Sequence, residues 1–165
     1  MRPVVVLVVV VAALAISAIS AGRSSAVIVT GYPYASLCPA AGFDNDKIDR
    51  WNMYACNCTS FAAWALERNG QRTDWFVAGK MDAHNWPSVA RRKALATGGK
   101  PRVGSIAAWP KLVPPWGHLA YVTRLDGDGR FDVAEYNLLV PYGFDRRTEV
   151  SPAGVTFVYV PYRRT

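Results

Sequence analysis

Residues 54–66, YACNCTSFAAWAL, hold two of the chain's three cysteines one residue apart, with an apolar, helix-like run directly behind them. From Thr59 to Arg68 good helix formers dominate (Ala62, Ala63, Ala65, Leu66, Glu67, Arg68), and Asn69-Gly70 ends the run as a helix stop does. Asn57 is a strong N-cap type, which places Cys58 in the first helical turn. Unpaired N–H groups and the positive end of the helix dipole favour a thiolate there. Cys56, in the approach segment, gains no such help.

Pairing of the cysteines depends on the compartment, and the N-terminus speaks to that. Arg2 precedes a stretch from Pro3 to Ile19 that is apolar apart from one serine, and Ala18-Ile19-Ser20 puts small residues where a signal peptidase cleaves. The expected leader is 1–20, with cleavage after Gly22 or an uncleaved membrane anchor as the alternatives, and 21–165 is then one domain with its core at about 32–163. Exported thiols tend to pair. Cys56 and Cys58 are too close together to bridge without strain, so Cys38 pairs with one of them. The helix argument keeps Cys58 free and assigns the bridge to Cys38–Cys56, which closes a loop of about 18 residues and contributes roughly 3 kcal/mol on the loop-entropy account.

The formal net charge of +7 falls only to +6 when Arg2 leaves with the leader. Pairs such as Arg91-Arg92, Arg146-Arg147 and Arg163-Arg164 are scattered among acids, which excludes a nucleic-acid arm and reads as a solvated basic surface suited to an anionic wall or membrane face. Asp44, Asp46 and Asp49 raise the question of a calcium loop, but the glycine and bidentate glutamate of an EF-hand are missing, and such acids serve more often as turn formers. No metal and no cofactor are expected, since the cysteine spacing fits no zinc pattern.

Further along, Asn85-Trp86-Pro87 followed by Ser88 to Ala96 predicts a second helix, closed by Gly98-Gly99. After Gly104 the pattern changes to short apolar runs: 104–109, 118–124, 130–137 and 155–160 read as strands. Asp126-Gly127-Asp128-Gly129 is a hairpin signal between the second and third. Helices first and strands afterwards predict an α+β domain, with the nucleophile helix packed on an antiparallel sheet.

A thiol needs a base, and His118 opens a strand after Trp116-Gly117, whereas His84 sits in the lead-in to a helix. A strand-end imidazole beside the sheet face that packs on the nucleophile helix has the placement of a Cys-His pair. Along the next strand Phe131, Val133, Glu135 and Asn137 share one face. A tight hairpin brings the Glu135 end beside His118, where a carboxylate accepts the second imidazole N–H. Asn52 and Tyr54, just upstream of Cys58, are the candidates for a side-chain oxyanion donor beside the Cys58 backbone N–H. Among the tryptophans, Trp109 reads as core, and Trp116, near His118 in a Pro- and Gly-bounded loop, as substrate rim.

The blocks NCTSFAAWAL, GSIAAWP, WGHLAYV and VAEYN, in that order, resemble the CHAP domain, the cysteine- and histidine-dependent amidohydrolase/peptidase group within the papain-like, NlpC/P60-like fold. The resemblance covers about residues 32–160. It implies a secreted cysteine amidase or endopeptidase acting on peptidoglycan, with Cys58 as nucleophile, His118 as base, Glu135 orienting the imidazole and Asn137 as a fourth polar member. Trp86 in HNWP is similar to the family's tryptophan after the first helix, and joins Trp116 as an expected rim residue. Peptidoglycan is the implied partner, with anionic wall polymers beside it, and the chain is expected to act as a monomer. A non-catalytic wall-binding or toxin-like module, and an acyltransferase using the same triad, are the alternatives.

Overall fold

The computed structural model describes residues 27–38 and 47–164. The expected leader at 1–20, together with Asp44 and Asp46, lies outside them. In chain order the elements are α1 (Cys58–Arg68), a 3-10 turn (Ala83–Asn85), α2 (Trp86–Arg92), β1 (Ala96–Gly98), β2 (Ile106–Trp109), β3 (His118–Leu125), β4 (Phe131–Tyr136), β5 (Phe144–Val150) and β6 (Thr156–Tyr159). The strands form a six-stranded sheet in the order β1-β6-β2-β3-β4-β5. Every pairing in it is antiparallel.

Helix α1 starts at Cys58 and stops at the Asn69-Gly70 signal, where Asn69 N–H reaches back to Ala65 O. Its side chains from Ser60 to Leu66 are all buried, and burying Phe61 and Leu66 contributes roughly 2 kcal/mol each. The helix lies across β3 and β4, and α2 lies across β1 and β6. Ile106, Ala108, Leu119, Tyr121, Ala134 and Tyr136 face the helices within the larger apolar cluster. The residues alternating with them (Ala107, Ala120, Val122, Phe131, Val133) build a smaller cluster with Phe157 on the opposite face.

Two expectations change here. The second helix ends at Arg92 rather than near Ala96, because Ala94 turns to φ +57 and the chain then pairs as β1, Ala96 opposite Tyr159. Strand β5 carries no apolar signal, since it is a polar edge strand with alternating partial exposure. The hairpin forms as predicted: Asp126 N–H donates to Arg130 O at 2.9 Å, and Leu125 stands opposite Phe131.

Candidate active site

The segment that delivers Cys58 is pinned from below. Asp49 Oδ1 accepts the backbone N–H groups of Trp51 (2.8 Å) and Met53 (2.9 Å), which makes this acid a turn former. The Tyr32 hydroxyl accepts the Cys56 N–H at 3.0 Å and is hydrogen-bonded to Ser60 Oγ at 2.5 Å, tying the approach to the helix it enters. A disulfide joins Cys38 to Cys56, and Cys58 is free and half-buried. Asn57 occupies the N-cap with extended backbone (φ −102, ψ 162), but its side chain makes no capping bond. Its Oδ1 instead accepts Asn137 Nδ2 at 2.6 Å, from the far end of β4.

His118, the first residue of β3, is buried, and the Cys58 side chain stands close enough to act on its imidazole electrostatically. Its Nε2 meets Glu135 Oε2 at 2.9 Å, which leaves Nδ1 as the nitrogen for the sulfur. Glu135 has no exposed surface and stands opposite Ala120, one diagonal step from His118. Behind it Arg147 of β5 makes a two-pronged contact, Nε to Oε1 at 2.5 Å and a terminal guanidinium nitrogen to Oε2 at 2.8 Å. The same guanidinium lies 4.8 Å over the Trp109 ring. By strand alternation His118 and Glu135 belong to the sheet face of the smaller cluster, not the helix-packed face that the sequence suggested. They reach Cys58 because the helix begins where β3 begins, at the end of the sheet.

Burial alone would depress the His118 imidazole, but the hydrogen bonds and charges of Cys58 and Glu135 outweigh it and raise the pKa to about 9. Burial likewise pushes the Glu135 carboxyl up, yet its bonds to His118 and Arg147 prevail and hold it below the ordinary carboxylate range. The result is a protonated imidazole between a sulfur and a fixed carboxylate.

A hollow of about 320 Å³ opens over the sulfur, lined by Tyr54, Asn57, Cys58, Trp116, His118 and Asn137 among others. Trp116 is 59% exposed at its edge. The loop carrying it is fastened by His84, whose backbone N–H donates to Trp116 O at 2.8 Å. Asn52 lines a neighbouring hollow with Ile48, Gly79 and Met81 rather than this one. Trp86 is not on the rim. It is fully buried, donates Nε1–H to Met81 O and packs edge-on against Trp75, because a large ring beside a short helix fills the core under it. Sequence reasoning missed two residues beside this cluster, Arg147 against Glu135 and the side chain of Asn57 next to Cys58. In the sequence Arg147 reads as surface charge within RRT, and Asn57 as a cap.

A family model described as the CHAP domain matches residues 48–137, more than half of the chain. The chain belongs to the CHAP family. The CHAP match contains Cys58, His118, Glu135 and Asn137 and stops short of Arg147. The probable autolysin SsaALP of Staphylococcus aureus is 32% identical over 105 residues, which are 56% of this chain and 38% of that protein. The chain thus spans well under half the length of that curated relative. Among solved structures, an N-acetylmuramoyl-L-alanine amidase from Staphylococcus aureus superposes with a TM-score of 0.58 at 17% identity, covering 72% of this chain and 34% of that one. That likeness shows a shared fold.

Proposed function

We propose that this CHAP chain is an exported peptidoglycan hydrolase that cleaves an amide bond through a thioester on Cys58. The observation that carries the reading is the convergence of a free thiol, a buried imidazole and a carboxylate held from behind by an arginine. CHAP membership and the autolysin relative support peptidoglycan as the substrate, and the apolar stretch at Pro3 to Ile19 supports a cleaved leader.

Cys58 Sγ attacks the amide carbonyl, the C–S bond forms, and the carbonyl π pair moves onto oxygen. The oxyanion faces the Cys58 backbone N–H at the head of α1. As the pair returns, the C–N bond breaks and His118 gives its proton to the leaving amine. His118 then takes a proton from water, the hydroxide adds to the thioester, and collapse releases the acid and the thiolate. Glu135 keeps the ring turned so that one nitrogen faces sulfur throughout, and Asn137 holds the residue next to the nucleophile.

Digestion of purified peptidoglycan by wild type and Cys58→Ala, with mass spectrometry of the products, tests this. Fragments with new amine and carboxyl termini are expected from wild type alone, and the termini identify the bond. Equal release by both proteins overturns the mechanism.

A further inference from the structure

We propose that Asn57 Nδ2 is the side-chain donor that stabilises the oxyanion, together with the Cys58 backbone N–H. This rests on the hydrolase reading above and adds to it the other half of the anion hole.

The orientation of the Asn57 amide follows from a chain of donors. A backbone N–H can only donate, and that of Tyr142 meets Asn137 Oδ1 at 2.8 Å. The other end of the Asn137 amide is therefore Nδ2, which meets Asn57 at 2.6 Å and requires an acceptor there. Asn57 Oδ1 is consumed in that bond, so its two amide hydrogens are on the opposite arm. Asn137 itself is fixed by left-handed backbone (φ +57) and by its N–H bond to Gly143 O at 2.9 Å. Both asparagines line the hollow over Cys58.

The same turn of the side chain has another effect. An N-cap asparagine ordinarily spends its Oδ1 on the N–H groups of the first helical turn. Asn57 makes no such bond. The head of α1 is left without a side-chain acceptor, which suits an incoming negative oxygen. When the carbonyl carbon is joined to Cys58 Sγ, its oxygen lies against the nucleophile's own N–H and the side chain preceding it. No proton moves to or from Asn57 in that step; its N–H bonds shorten toward the oxygen as charge develops. Of the alternatives upstream, Asn52 opens onto another hollow, and Tyr54 is 53% exposed with no hydrogen bond fixing its hydroxyl among the described residues.

The test compares the initial rate on saturating purified peptidoglycan with the rate of Cys58 alkylation by iodoacetamide, a displacement that forms no oxyanion. In Asn57→Ala the cleavage rate should fall about 100- to 1000-fold while alkylation stays within about threefold of wild type, since one anion-hole donor is removed and the thiol is kept. Asn57→Asp retains an acceptor for Asn137 Nδ2 and offers no hydrogen, so it should lose at least as much and serves where the alanine variant does not fold. Cleavage within tenfold of wild type in the folded Asn57 variants overturns the assignment. A parallel fall in alkylation of Asn57→Ala, or a loss carried by Tyr54→Phe instead, overturns it as well. If Cys58→Ala still digests the wall, the hydrolase reading itself fails; an inactive Cys58→Ala beside active Asn57 variants removes Asn57 alone.

Discussion

Arg147 grips Glu135 with one bond to Oε1 and one to Oε2, the oxygen it shares with His118, and the carboxylate between them has no exposed surface. A buried carboxylate stripped of its cation is costly. Arg147 is itself 23% exposed, so we expect Arg147→Ala to lose roughly 2 kcal/mol, toward or below the small end of buried-pair losses, read from denaturant midpoints. Its effect on turnover acts through Glu135 and His118. In wild type the imidazole titrates at about 9, so cleavage should decline as pH rises through that value. The stability that this raised pKa provides is complete below the unfolded value near 6.5 and drains away toward 9. The depressed Glu135 works at the other end: its contribution is present above the ordinary carboxylate range and is lost only as pH falls through its lowered value. Without Arg147 the carboxyl titrates higher, and the acid limb of a pH–rate profile should move up. Arg147→Lys should restore part of that limb, having the charge without the fork; a profile unchanged in Arg147→Ala would make this arginine a packing residue only. Cys58, His118 and Glu135 are readable from order and alternation within one hairpin and one helix head. Arg147 is not, because its role exists only once β5 lies beside β4, and nothing in FDRRTEV marks that strand as near a site. Asn57 hides differently: its residue type fits a cap, and the partner that turns it away is Asn137, 80 positions later.

The connection between β2 and β3 sets where His118 begins, and it has little tolerance at one position. Gly117 has φ +79, and a Cβ there would stand 2.7 Å from His84 N and 3.0 Å from His84 Cα, both backbone atoms that cannot yield as a side-chain tip does. Gly117→Ala should therefore cost about 2–3 kcal/mol by strain and close approach. It should also displace His118, lowering the peptidoglycan rate by more than the loss of folded protein explains. Gly99→Ala is the control: its ordinary φ and the open space around it predict a change within about 0.5 kcal/mol. Thermal midpoints and rates of the two variants, measured together, decide the matter, and similar behaviour of both would deny the loop any part in placing His118. At this scale the long, capped or strongly apolar elements were legible. Helix α1 and strands β2, β3, β4 and β6 carry their own signals in caps, apolar runs and the Asp-Gly turn. The three residues of β1 and the polar β5 are strands because a neighbour offers them a hydrogen-bonding edge, which is a property of the assembled sheet.

Across the whole molecule two kinds of charge are kept apart. His118, Glu135 and Arg147 interact behind protein, where salt reaches weakly, while Arg91, Arg92, Lys93 and Arg146 lie exposed on a chain of net charge +7. Mobile ions shorten the Debye length from about 10 Å at 0.1 M to about 3 Å at 1 M, so they suppress the exposed kind and spare the buried one. The Cys58→Ala protein, which on the proposed mechanism does not cut, should therefore bind sedimented bacterial walls well at low salt, and the bound fraction should drop severalfold over that range. The rate of wild type on small soluble wall fragments should hold nearly constant over the same series, because the buried His118 and Glu135 and their arginine keep their geometry. Cosedimentation for the binding and product release for the rate separate the two. If binding to intact walls is indifferent to salt, the basic surface is not what brings the protein to them, and attraction to anionic wall polymers loses its support while the chemistry at Cys58 stands.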